Sequence, residues 1–481
     1  MKNEILKAVN VGKVINGTQV LKGLNLSVYE QEILGMTGLS GSGKSVIGEI
    51  LSGIRSCDEG QFFIEAEKSE PGNVRQVSEK GIYHISKNPC LFSCLTIEEN
   101  ICLIERGLRT DLYFPSKIQK TTIQEALRSL DIHMNIKGSV NQLSLYEKHM
   151  VAILRAYYQH AKLIIIDNIT NDYTEEEFKR LGNLLLKIRK RGASILFIES
   201  MIDRVVSFTD RLVILRNGRD EGILFRNDYN KDNIMKIMAG DYSIPDPIEK
   251  NAGNSSNHIL LSALDIYSRS FHGLSFSVNH GEIVGFIEEE KIICTDILDL
   301  FSGNMDLSGG TIRIGGTELN ARAGREAMIK AGFGYVDYYK NSIFPKLSLK
   351  DNLTITSLGR LTTRTAIHSK LEKAVVKDLL ARLAIPEENM RKPIKDTSNK
   401  EQLIAALYKW ILNRSKVVLL NNVLSGTDMI MHNIVVQFLN ELRERECGAI
   451  LLSPNTKELY ELCDRVYILR EGKVIDMRTA P

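Results

Sequence analysis

An α/β fold made of two tandem copies of one domain is predicted by three features of this 481-residue chain. Short β-branched runs, such as Leu163-Ile164-Ile165-Ile166 and Ser194-Ile195-Leu196-Phe197-Ile198, alternate with helical patterns. That alternation marks buried parallel strands with helices on the faces of the sheet. The segment Gly38-Leu39-Ser40-Gly41-Ser42-Gly43-Lys44-Ser45 fits the phosphate-loop pattern G-x-x-x-x-G-K-[ST]. The chain also repeats itself in order, the mark of a tandem duplication.

The phosphate loop sits in the context it needs. Glu32-Ile33-Leu34-Gly35-Met36 before it reads as a strand, and Val46-Ile47-Gly48-Glu49-Ile50-Leu51 after it reads as a helix. Gly38, Gly41 and Gly43 let the backbone turn tightly, with Ser40 and Ser42 between them. The N–H groups up to Val46 can then converge on a phosphate at the positive end of the helix. Lys44 is expected to reach the β/γ-phosphates and Ser45 to ligate magnesium, which implies a nucleotide phosphate and Mg2+ as ligands.

The repeat runs the length of the chain. Leu24-Asn25-Leu26-Ser27-Val28 returns as Leu274-Ser275-Phe276-Ser277-Val278, and Glu32-Ile33-Leu34-Gly35 as Glu282-Ile283-Val284-Gly285. Leu51-Ser52-Gly53 returns as Phe301-Ser302-Gly303. Asp210-Arg211-Leu212-Val213-Ile214-Leu215 returns as Asp464-Arg465-Val466-Tyr467-Ile468-Leu469. Pro, Asn and Ser between the copies read as a linker. The expected division is a domain at 1–240, a linker at 241–257 and a second domain at 258–481. The middle of each copy, 84–160 and 336–415, carries more helix signals. It reads as a helical insert on the core, or as more of the core itself.

Composition narrows the function. Sixty-two basic against 59 acidic residues, net +3, argues against an electrostatic nucleic-acid binder. The seven cysteines show no paired metal spacing and suit free thiols in a reducing compartment. No apolar stretch is long enough to span a bilayer, and Met1-Lys2-Asn3-Glu4 lacks a signal-peptide core. A cytoplasmic protein is expected, with any membrane role exercised through a partner.

The chain resembles the tandem ATP-binding cassette (ABC) ATPase subunit of bacterial monosaccharide importers of the ribose and galactose type. The likeness rests on the first phosphate loop, Leu143-Ser144-Leu145, Ile164-Ile165-Ile166-Asp167, Thr96-Ile97-Glu98-Glu99-Asn100-Ile101 and the Asp-Arg close of both halves. It implies two cassettes, each a mostly parallel sheet core with an antiparallel part and a helical insert. It also implies that the two pair within the chain. Asp167 would join Ser45 around magnesium. The implied partners are a membrane permease and, through it, a periplasmic-type sugar-binding protein. The implied location is the inner face of the cell membrane.

Several positions depart from the family pattern. Asn168 stands where the catalytic Glu belongs, and an amide cannot take the proton of attacking water. Ser200 stands where the switch His belongs, after Glu199. Lys87 replaces the Q-loop Gln, Ile15 an adenine-stacking aromatic, and Tyr146 a signature glycine. In the second copy the loop reads Gly285-Phe286-Ile287-Glu288-Glu289-Glu290-Lys291-Ile292, with carboxylates facing the phosphate position and Lys291 as the surviving lysine. Asn421-Asn422 replaces the acidic pair, Thr397-Ser398-Asn399-Lys400-Glu401 the signature, and Ser453-Pro454-Asn455 the switch segment. The resemblance therefore implies ATP and magnesium on half one, a dead half two, and weak or absent hydrolysis. The alternative is a non-hydrolysing pseudo-ATPase that regulates or assembles a partner.

Overall fold

The structure is a computed structural model. It describes residues 3–15, 17–70, 72–102, 117–171, 173–240, 258–288, 292–319, 324–337, 339–363, 366–424, 429–453 and 455–479. The chain divides into two compact units, residues 1–243 and 244–481. The expected linker at 241–257 lies outside the described residues.

Unit one contains two sheets. Strands β1 (Glu4–Ile15), β2 (Thr18–Tyr29), β4 (Glu59–Ile64) and β5 (Glu67–Ser69) form an antiparallel sheet in the order β2-β1-β4-β5. Strands β3 (Ile33–Gly38), β6 (Ile82–Ile85), β7 (Leu163–Asp167), β8 (Ser194–Ile198), β9 (Arg211–Arg216) and β10 (Arg219–Phe225) form the second, in the order β10-β9-β3-β8-β7-β6. All of its neighbours run parallel except β10, which turns back on β9. Every residue of β3, β7 and β8 is buried, as the unbroken apolar runs require when helices cover both faces.

Unit two repeats the plan. Strands β11 (Ile259–Tyr267), β12 (His272–Asn279), β14 (Gly309–Ile314) and β15 (Thr317–Leu319) make the antiparallel sheet. Strands β13 (Ile283–Glu288), β16 (Phe333–Asp337), β19 (Val417–Asn421), β20 (Gly448–Leu452), β21 (Arg465–Arg470) and β22 (Lys473–Thr479) make the other, in the order β16-β19-β20-β13-β21-β22. Strands β17 (Thr362–Thr363) and β18 (Ala366–Ile367) pair as a two-stranded hairpin.

Small details are duplicated as well. Asp210 accepts from the Ile33 amide at 2.9 Å and from Arg189 at 2.6 Å. Asp464 does the same with Ile283 at 2.8 Å and Arg443 at 2.7 Å. A Cβ on Gly35 would stand 2.8 Å from Val205, and one on Gly285 2.9 Å from Cys463. In both halves a helix therefore packs directly on the bare backbone of the central strand.

The middle segments are helical, with Ile97–Cys102, Lys117–Leu130 and Leu145–Tyr158 in unit one and Leu349–Thr354, Ser369–Arg382 and Asn399–Leu412 in unit two. Their apolar faces share one core with a face of the parallel sheet, so they are not separately stabilised inserts. Buried Asn100 clamps the loop before its helix. Its Oδ1 accepts from the Phe92 amide at 2.8 Å and its Nδ2 donates to the Phe92 carbonyl at 3.0 Å. Asn352 repeats this with Phe344 at 2.7 and 3.1 Å. The two phenylalanine side chains are left 46% and 47% exposed.

Candidate functional site

In unit one, β3 delivers the loop directly into the helix Lys44–Leu51. Gly43 caps that helix at φ 101°, where a Cβ would stand 2.6 Å from the Leu21 side chain, so only glycine fits. Gly41 also sits at positive φ. Lys44 is 5% exposed, and its ammonium donates to the carbonyls of Gly38 at 2.7 Å and Leu39 at 3.0 Å. The cation therefore lies inside the loop rather than in solvent. Buried Ser42 has a hydroxyl without a hydrogen-bond partner.

The parallel pairing of β7 beside β8 carries Asp167 and Asn168 to this loop. Ser45 Oγ donates to Asp167 Oδ1 at 3.1 Å, and Asn168 Nδ2 donates to the same oxygen at 3.1 Å. Ser200, just beyond β8, donates from its hydroxyl to Asn168 Oδ1 at 3.2 Å. Burial raises the Asp167 carboxyl above its usual range. The hydrogen bond from Ser45, the charge of Lys44 and the hydrogen bond from Asn168 oppose that rise. The sites expected for phosphate, metal, base and switch thus converge, and the last two meet as a neutral amide–hydroxyl pair. Asn168 adopts φ 49° and Asn422, its counterpart, φ 51°, a left-handed conformation that asparagine tolerates well.

His84 was not singled out from the sequence. Strand β6 sets its buried Nε2 at 3.8 Å from Asp167 Oδ2, and burial lowers its pKa. Glu199 was also missed as a builder of the site. Fully buried, it accepts from the Thr170 hydroxyl and, at 2.7 Å, from the Ser200 amide, which holds the hydroxyl of Ser200 towards Asn168. Tyr146, in the first turn of the helix Leu145–Tyr158, packs its ring edge-on against Tyr173 at 5.1 Å. Ser144 caps that helix through a capping box with Glu147 at 3.2 and 2.8 Å. Ser398 and Glu401 repeat the box in unit two. Lys87 places its carbonyl 2.9 Å from His149 Nε2, and Ile15 ends β1 beside Thr18.

Unit two requires a correction. Gly38 pairs with Leu215 on β9, and Glu288 pairs with Leu469 on β21. Glu288 therefore occupies the position of Gly38, and Cys294 that of Lys44, three residues away from the alignment on Lys291. Lys291, Glu289 and Glu290 lie outside the described residues. The Glu288 carboxylate accepts from the amides of Ile293 and Cys294, both at 2.7 Å. A side-chain carboxylate thus takes the helix-end amides that a phosphate would use. Burial first, then Glu288, pushes the Cys294 thiol far up. Asn421, the counterpart of Asp167, donates to Asp337 at 2.8 Å.

The sequence profile described as ABC transporter matches residues 21–171 and again 271–425. The chain belongs to the ABC transporter family. Among its relatives is a ribose import ATP-binding protein of Caldanaerobacter subterraneus subsp. tengcongensis, 27% identical over 98% of this chain and 95% of the relative. A protein of the same name from Clostridium tetani is 26% identical over 98% of this chain and 93% of the relative. A solved ATP-binding cassette of an ABC transporter, in its ADP conformation, is 22% identical with a TM-score of 0.43. It covers 50% of this chain and 96% of the cassette. As an ABC chain, the protein is two cassettes with no helix, among the described residues, long and apolar enough to cross a membrane.

Proposed function

We propose that the chain is the ATP-binding subunit of a monosaccharide importer, binding ATP and magnesium on unit one only, with hydrolysis weak or absent. One observation carries this reading. Lys44 lies inside an intact loop while Glu288 occupies the corresponding amides of the other half. Ser40, Gly41, Ser42 and Gly43, with the amides of Lys44, Ser45 and Val46, form the phosphate cradle beginning at Gly38. The Ser45 hydroxyl and Asp167 carboxylate supply two hard oxygens close enough to share a magnesium ion, which when bound offsets the phosphate charge. The end-to-end similarity to ribose import proteins supports a sugar as cargo.

Phe92 and Phe344, exposed at equivalent loops, supply aromatic contacts for a permease, which would hold the chain at the cytoplasmic face of the membrane. A sugar-binding protein would act through that permease.

A second reading is favoured by the pairing of Asn168 with Ser200, which puts a neutral amide and a hydroxyl where the family pattern has its catalytic Glu and switch His. In it the chain is a pseudo-ATPase whose ATP-bound form shifts the state of a partner without turnover. One paired measurement separates the readings: ATP affinity at equilibrium and phosphate release at steady state, each with and without the permease. Release stimulated by the permease supports transport. Tight binding with no release supports the second reading. No binding sinks both.

A further inference from the structure

Unit two holds a cavity of about 240 Å3 whose walls include Asp299, Arg325, Tyr335, Asp337, Lys409 and Trp410. Its polar groups are only partly satisfied. Lys409 is 6% exposed and donates to the Ser342 carbonyl at 2.5 Å, the one acceptor its ammonium has among the described residues. Burial pushes its pKa down to about 8, and the charge of Arg325 adds to that effect. Among the described residues neither cation has a carboxylate within ion-pair distance. The sole tryptophan, Trp410, is 2% exposed, and its indole N–H has no acceptor. A buried ammonium and a buried indole donor thus face a common space with the exposed Arg325; Asp299 and Asp337 share its walls, but neither pairs with a cation among the described residues, which leaves the buried donors short of acceptors.

We propose that this cavity is a binding site for a small phosphate monoester bearing hydroxyl groups, a sugar phosphate. Lys409, Arg325 and the indole N–H supply charge-assisted and neutral donors for the phosphate oxygens. Asp299 and the carboxylate oxygen of Asp337 not bonded to Asn421 supply acceptors, which a bare anion cannot use and a hydroxyl can. The rings of Tyr335 and Trp410, 6.0 Å apart and tilted by 34°, carry Arg325 and Lys409 respectively, each cation 5.4 Å from its ring centroid, and so hold both charges at the cavity wall. The volume is below the ~300–1,000 Å3 of drug-sized pockets, which limits the occupant to a small molecule.

Because Trp410 is the only tryptophan, its fluorescence reads the cavity in the full chain. A pentose 5-phosphate is expected to change the emission saturably, at least tenfold more tightly than inorganic phosphate or the free pentose. Arg325→Ala, at an exposed position that spares the core, is expected to weaken that binding at least tenfold, and Lys409→Met to do the same. Lys44→Ala is expected to leave it unchanged. The proposal is overturned by a response no greater than that to chloride at matched ionic strength, by inorganic phosphate binding equally well, or by loss of the response in Lys44→Ala. It is also overturned if only an acidic peptide produces a response, since the cations would then serve a partner protein.

Discussion

The hydroxyl of Ser200 donates to the side-chain oxygen of Asn168 at 3.2 Å, and the amide nitrogen of Asn168 donates to Asp167 at 3.1 Å. An amide and a hydroxyl thus stand where the resemblance to the family expects a base and the group that would steady it. A glutamate at 168 would place a second carboxylate against Asp167, which burial already holds above its usual range. It would also lose the donor that Asp167 now uses. Asn168→Glu alone is therefore expected to raise ATP turnover by less than about tenfold, far short of the ~10²–10⁴ a positioned base supplies. Steady-state phosphate release checks this; a gain of several hundredfold would mean that the rest of the site is already competent.

Removal of the cation inside the first loop should act on binding itself. Lys44→Ala is expected to weaken ATP affinity by about a hundredfold or more, since hydrogen bonds to a charged group contribute roughly 1.5–3 kcal/mol each. Titration calorimetry on the wild type and variant gives the ratio. Equal affinities would move the nucleotide away from this loop.

The carboxylate of Glu288 makes two amide bonds at the N-terminus of the helix Ile292–Ser302. In Glu288→Gln only one side-chain atom can accept, so one amide loses its partner and the helix end loses its counter-charge. The expected cost is about 1–3 kcal/mol. The Cys294 thiol, which Glu288 helps to hold protonated, should react faster with iodoacetamide in the variant. The nucleotide stoichiometry should stay at one per chain. A second bound ATP in Glu288→Gln would make the carboxylate a removable plug rather than one loss among several.

How much of this was legible in the sequence depended on chain distance. The first loop, Asp167 and the order of the repeat lie in contiguous patterns, and the strands around them form where those patterns place them. In the second loop a match on residue type selects Lys291, whereas the repeat offset from Gly35 to Gly285 puts Cys294 at the lysine position, and the pairing of Glu288 with Leu469 agrees with that offset. His84 reaches Asp167 because β6 pairs with β7, an association between distant segments that no local pattern announces. The packing of Tyr146 on Tyr173 likewise joins two segments that no local pattern links. Nothing local to Lys409 marks it as buried. Its burial follows from Trp410 and the segment around Ser342 closing over it.

That burial has a pH signature. The Lys409 pKa is about 8 in the fold against 10.5 for an unperturbed lysine, because burial and then Arg325 disfavour the charged form. Between these values the unfolded chain binds more protons at this residue than the native one. Its contribution to stability therefore rises with pH from about 8 to about 10.5. Asp299 and Asp337 share the cavity wall, yet the shift of Lys409 remains downward. Tyr408, whose phenol burial holds above its usual range, opposes the rise at the alkaline end, since the unfolded chain loses that proton first. Lys409→Met is expected to remove the rise and, near neutral pH, to stabilise unit two by up to about 3 kcal/mol, the free-energy equivalent of the shift. Denaturant melts of both proteins across this window test the sign. A rise of the same size in Lys409→Met would place the titrating group elsewhere.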